Sequence, residues 1–261
     1  MLTLVVTISA AAFFLRHGIT EALTARCLVE TYAFDDRMQD FPRVILWAWE
    51  RPEDLRFINT DDIGVAFLAQ TVYLRSDQTS IRPRLQPLSV AAGAKLIAVT
   101  RIESSHAALS SEQRARTVAA IAKLTRNERV AAIQIDFDAR TSERAFYRDL
   151  LVDLRQAMPA TVRLSITALA SWCLGDNWLA GLPIDEAVPM LFRMGVDQRN
   201  IEMRLDAGTD FNAPIARHSL GISTDEPLAR LPAGRRVYIF NPRSWSAESA
   251  RKIIEEVRQW Q

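Results

Sequence analysis

Two aspartates set two residues apart, Asp136 and Asp138, close the run AAIQIDFDAR at positions 131–140 of this 261-residue chain. In an extended segment Ile133, Ile135 and Phe137 fall on one face and Gln134, Asp136 and Asp138 on the other. Unpaired carboxylates are costly to bury, so that face must turn to a polar site or to an internal ion pair. Two close carboxylates suit acid–base or nucleophilic work such as glycoside hydrolysis, in which one protonates the leaving oxygen and the other acts as base or nucleophile. Asp138 is the candidate acid or nucleophile, and Asp136 tunes it by charge repulsion. A further carboxylate to complete the pair would come from Glu50, Glu103 or Asp225. The competing reading is structural: Asp136 and Asp138 pair with Arg101 and Arg193 and do no chemistry.

These acids need a scaffold. Apolar runs at 44–50, 63–74, 95–103, 130–139, 163–171, 186–195, 218–223 and 235–242 read as eight strands. Between some of them lie helical patterns. Residues 110–127 open with a Ser110/Gln113 capping box and bring Val118, Ile121 and Ala122 to one face. Residues 142–159 carry the stripe Phe146, Leu150, Leu151 and Leu154 and stop at Pro159. Residues 246–260 form a closing amphipathic helix. The segment RPEDLRFI reads as a short helical turn, and residues 76–89, broken by proline, as an exposed loop.

Alternating strands and helices imply a parallel sheet. Eight strands in this length favour an α/β fold that is a single (β/α)8 barrel, with irregular or shortened helices in the first third and after strand six. In such a barrel the outer strand faces pack on helices, so the polar face of 131–139 points inward, and its C-terminal end lies where barrel enzymes hold their sites. The same parity brings Arg101, Glu103, Thr167 and Arg193 toward one mouth. Trp49 and Glu50 at the end of the first strand, Gln70 in the second, and Asn241, Arg243 and Trp245 after the eighth join them. Trp47, Trp49, Trp172, Trp178 and Trp245 offer flat apolar faces for sugar rings.

Composition narrows the rest. Net charge is +1, and no basic block suggests nucleic acid. Two cysteines, Cys27 and Cys173, and three scattered histidines make neither a disulfide framework nor a metal site, and no glycine-rich phosphate loop calls for a nucleotide; no cofactor is expected. Residues 1–16 begin with fifteen uncharged residues, MLTLVVTISAAAFFL, which read as a signal or membrane-anchor segment. Residues 17–43 then form a lead-in and 44–261 the barrel. That assignment predicts a cell-envelope or secreted location, with a cytoplasmic one as its alternative.

The stretches QIDFDARTSERAFYRDL, LSITALASWC, DEAVPMLFRMG and LWAWERPEDL resemble the bacterial domain-of-unknown-function 3142 family over roughly residues 43–245. That family is grouped with TIM-barrel glycoside hydrolases, so the resemblance implies a barrel with a carbohydrate link. A more distant likeness is to chitinase-like barrels, which carry D-x-x-D-x-D-x-E on the fourth strand. Here Asp136 and Asp138 match the second and third carboxylates, Ile133 replaces the first and Arg140 replaces the catalytic glutamate. Their M-x-Y-D motif becomes Met190, Phe192 and Arg193, and Trp245 matches their sugar-platform tryptophan. Arginine cannot donate a proton near neutral pH, so the substrate-assisted mechanism does not carry over. Arg140 and Arg193 instead neutralise the aspartates or bind an anionic group. The expectation is a glycoside-hydrolase-like barrel acting on a cell-envelope or extracellular glycan; the alternative is a barrel that binds a glycan or an anion and has lost the chemistry.

Overall fold

A computed structural model describes residues 36–105, 108–226 and 231–260. The segment at residues 1–16, most of the lead-in and Cys27 lie outside the described residues. The element order is β1 (Val44–Ala48), β2 (Glu53–Leu55), β3 (Ile63–Arg75), β4 (Gln78–Pro83), β5 (Leu88–Val90), β6 (Leu96–Ser104) and α1 (Ser111–Ala122). It continues with β7 (Val130–Asp136), α2 (Arg144–Ala157), β8 (Arg163–Leu169), α3 (Ala170–Leu174), β9 (Glu186–Met190) and α4 (Gln198–Asp206), then β10 (Ser219–Ser223), β11 (Arg236–Phe240) and α5 (Ala247–Trp260).

Eight parallel strands close on themselves in the order β1-β3-β6-β7-β8-β9-β10-β11, with β11 returning to β1. This is the expected (β/α)8 barrel. Each strand splits its residues between two cores. Ile45, Trp47, Ala66, Ile97, Val99, Ala132, Val188 and Tyr238 fill the interior, joined by Met38 and Phe41 from ahead of β1. Val44, Leu46, Ala98, Ile133, Ile135, Leu164 and Ile166 pack outward against α2 residues Phe146, Tyr147, Leu150, Leu151 and Leu154 and other elements of the outer layer. Met158 is extended because a residue before proline avoids the helical region, so α2 stops there. The capping box of α1 forms as expected, Gln113 N donating to Ser110 Oγ at 3.2 Å and Ser110 N to Gln113 Oε1 at 2.9 Å. The buried face of α1 is Gln113, Thr117, Ala120 and Ile121; Val118 and Ala122 are half-buried.

Two local expectations are corrected. Residues 53–55 form a strand paired in parallel with β5, not a helical turn. The buried Glu53 carboxylate accepts the Trp245 backbone N–H at 2.9 Å and lies 3.3 Å from Arg51, and those tertiary bonds override a local helical preference. Residues 76–89 are exposed, as expected, but hold β4, which extends β3 as an antiparallel ribbon, and β5. Pro83 ends β4 on an outer edge, where a missing N–H costs no ladder bond. Between β9 and β10 the chain forms the short helix α4, buried through Ile201 and Leu205.

Candidate active site at the barrel mouth

The site rests on a polar chain that fills the barrel below it. The Trp47 indole N–H donates to Gln134 Oε1 at 2.9 Å. Gln134 Nε2 donates to Ser165 Oγ at 3.1 Å, and Ser165 donates to Glu186 Oε2 at 3.0 Å. Glu186 also accepts from the Tyr238 hydroxyl at 2.6 Å and pairs with Arg236 at 2.8 Å. Arg236 continues to the Met38 carbonyl at 2.5 Å and to Asp36 at 3.2 Å. Gln134, Ser165, Glu186 and Arg236 are all buried, and each is hydrogen-bonded to the next member or to a neighbour, as buried polar groups require; the Arg236 Nε alone has no partner among the described residues. Burial raises the Tyr238 hydroxyl well above its ordinary range, so it stays a donor; the Glu186 charge acts in the same direction.

Above this chain the strand ends enclose a cavity of about 210 Å³. Trp47, Val99, Thr167 and Phe192 are its buried members; Trp49, Arg101, Asp136, Asp138, Leu169, Met190, Arg193 and Phe240 complete the wall. The aromatic side is continuous. Phe192 and Phe240 stack 5.7 Å apart, Trp49 meets Phe240 edge-on at 6.0 Å, and Trp47 contacts Phe192 at 6.3 Å. The opposite side is charged. Asp136 accepts from Thr167 Oγ1 at 2.8 Å and lies 3.8 Å from the Arg101 guanidinium, which itself pairs with Glu103 at 3.0 Å. The Asp138 carboxylate has no hydrogen-bond or ion-pair partner among the described residues; Arg101 acts on it only through space. Arg193, held in a left-handed turn at φ 52°, lies over Phe240 at 5.2 Å, and its N–H binds Glu226 at 2.8 Å.

Burial lifts the Asp136 carboxyl to about 6, helped by repulsion from Asp138 and opposed by Arg101 and the Thr167 hydrogen bond. Asp138 is also raised, first by the surrounding walls, with Arg101 again opposing. Two coupled acids, one able to hold a proton near neutral pH, are the groups that acid–base chemistry uses. They stand on one strand end, and no other carboxylate of the described residues lines the cavity.

Six expected site residues therefore meet here: Trp49, Arg101, Asp136, Asp138, Thr167 and Arg193. The others do not line the cavity. Glu50 turns aside and accepts the Leu85 N–H at 3.0 Å. Glu103 lies past the end of the cavity wall, exposed and paired to Arg101. Asp225 is taken by the Ser223 hydroxyl. Gln70 points outward, because a bulge between Leu68 and Gln70 shifts β3 by one residue and its amide bonds Thr100 at 3.2 Å. Trp172 is buried in the outer layer against Trp178 at 4.8 Å. Trp245 is also buried there, its indole N–H on the Trp47 carbonyl at 2.9 Å, so it is no sugar platform. Arg140 sits exposed at the start of the turn before α2, where its backbone N–H binds Glu143. Asn241 and Arg243 line a separate cavity of about 370 Å³ beside α5, where Thr224 Oγ1 donates to Asn241 Oδ1 at 3.0 Å.

Met190, Phe192 and Phe240 as wall residues, and Glu186, Tyr238 and Arg236 as partners of the inward-facing Gln134, are not evident from the sequence pattern. Even spacing from Asp136 and from Trp49 was the available signal for Gln134 and Trp47.

The resemblance drawn from the sequence is upheld over a shorter span than 43–245. Residues 92–191 match the family model described as Domain of unknown function (DUF3142). The matched span runs from just before β6 to just after β9 and contains Arg101, Gln134, Asp136, Asp138, Thr167 and Glu186. No curated protein matches the chain.

Proposed function

We propose that the barrel mouth binds a sugar ring of a cell-envelope or extracellular glycan, the aromatic wall covering its apolar face and Asp136, Asp138, Arg101 and Arg193 taking its hydroxyl or anionic groups. The observation that carries this is one cavity in which Trp47, Trp49, Phe192 and Phe240 face a carboxylate pair. Apolar walls with a few converging polar groups are how proteins hold small polar ligands. The uncharged run at residues 1–15 agrees with an envelope or secreted location.

A second reading, hydrolysis, has a specific observation in its favour: Asp136 is lifted to about 6 and can hold a proton for a leaving oxygen at neutral pH. Binding takes precedence because Asp136 and Asp138 share one strand end, whereas a glycosidase sets its two carboxyls on either side of the scissile bond. Calorimetry of the purified protein against defined oligosaccharides, run beside a reducing-sugar assay, separates the readings. Saturable binding that is lost in Trp49→Ala, with no release of reducing ends, is the expected result. Turnover abolished by Asp138→Asn would replace the binding reading with the hydrolytic one, and absence of both would remove glycan recognition.

A further inference from the structure

Resting on the sugar-ring reading above, we infer that the mouth is a blind pit that takes the terminal residue of a glycan end-on, with Trp47 as its fixed floor. Two unrelated features fix that floor. The first is the hydrogen-bond direction. An indole N–H can only donate, so Gln134 must turn its oxygen to Trp47 and its amide to Ser165, and Ser165 must pass its own proton to Glu186. The chain has one polarity and ends on a buried carboxylate that Arg236 and Tyr238 hold in place.

The second feature is space. Gly221 on β10 faces the Trp47 ring, and a Cβ there would lie 3.0 Å from Trp47 Cη2 and 3.0 Å from Met190 Sδ. A side chain there would push the indole or the Met190 thioether aside, so glycine lets the ring sit flush against β10. Tyr238 closes another side at a ring distance of 5.3 Å. Trp47 is 3% exposed and Val99 fully buried, and the hydrogen-bonded chain from Gln134 to Arg236 fills the barrel interior below them.

Size then selects the ligand. About 210 Å³ is below the ~300–1,000 Å³ of pockets for drug-sized ligands, enough for one ring and not for a chain crossing the barrel. The remaining sugar residues must leave the way the ring entered, past Trp49, Arg101, Asp138 and Arg193 at the rim. A glycan with no free end cannot present such a ring.

Linear and cyclic oligosaccharides of the same sugar test this by calorimetry on the wild-type chain. Linear forms binding at least tenfold tighter than cyclic ones, with affinity levelling off after the first residues, is the expected outcome. Equal affinity for the cyclic form would overturn end-on entry while leaving glycan recognition intact. No affinity for any sugar would instead overturn the recognition reading beneath it, and the inference with it. Trp47→Phe, which lowers the floor, should improve binding of terminal sugars with bulkier substituents relative to unsubstituted ones. No change in that ratio would overturn the role of Trp47, whatever the effect on stability.

Discussion

Replacing Asp136 by asparagine should make the protein more stable at neutral pH. In the native chain the carboxyl is lifted from an ordinary value of 3.8 to about 6, chiefly by burial. Each pKa unit is worth ~1.36 kcal/mol, so holding the charged form at pH 7 costs about 3 kcal/mol. The folded value lies above the unfolded one. The contribution of Asp136 is therefore fully present below about pH 4 and is lost as pH rises through about 6. Asparagine is neutral throughout and can still accept the Thr167 hydrogen bond with its amide oxygen. Urea denaturation at several values from pH 4 to 7.5 should find Asp136→Asn and wild type similar at the acid end. A gap of about 2–3 kcal/mol in favour of the variant should open between pH 4 and 6. A variant less stable than wild type at pH 7.5, or a difference that does not change with pH, would refute the assignment. Removing the like charge with Asp138→Asn should leave the Asp136 carboxyl titrating below about 6 by carbon-detected NMR, because Asp138 is the second cause of its shift.

Three further outcomes follow from the geometry. Arg236→Met strands the buried Glu186 carboxylate and should cost about 3–5 kcal/mol in chemical denaturation, while the double change with Glu186→Leu should recover most of it. Gly221→Ala forces a methyl to 3.0 Å from Trp47 and Met190 and should cost about 1–3 kcal/mol, with a change in tryptophan emission that reports the displaced floor. Ser110→Ala removes the cap of α1 and should cost about 1 kcal/mol while leaving mouth binding unchanged, since α1 lies on the outside of the barrel.

The sequence was informative where one period decides the answer. Alternation along 131–139 assigned Asp136 and Asp138 to the inner face without any coordinates, because one residue per step is all that parity requires. It failed for Gln70 for the same reason: a single bulged residue in β3 reverses the faces beyond it, and nothing local in QTVYL announces the bulge. It failed for Trp245 and Trp172 because an aromatic after a strand end can turn either toward the mouth or under the neighbouring helix. Parity says nothing once the strand has stopped. Glu53 was hidden more deeply, since its strand exists only through bonds to Trp245 and Arg51 and a pairing with Leu88–Val90.

Ring closure explains the largest omission, and it bears on function. Glu186 and Arg236 stand fifty residues apart and become partners only when β9, β10 and β11 lie side by side on the closing turn of the barrel. Once they meet, the acid at the N-terminal end of the barrel interior accepts from three donors, Ser165, Tyr238 and Arg236, and Arg236 is held in turn by Asp36 and the Met38 carbonyl. At the other end, among the described residues, Asp138 has no direct partner and Asp136 has one hydroxyl and a guanidinium 3.8 Å away. The two ends differ in exposure as well as in partners: Glu186 is buried, Asp136 half-buried and Asp138 exposed, and Arg193 lines the same cavity without an ion pair to either aspartate among the described residues. It pairs with Glu226 and stacks on Phe240 instead. The ligand-binding proposal rests on this contrast: the lower acid is engaged inside the barrel, whereas the upper pair stands at the mouth with acceptor oxygens open to a ligand's hydroxyls.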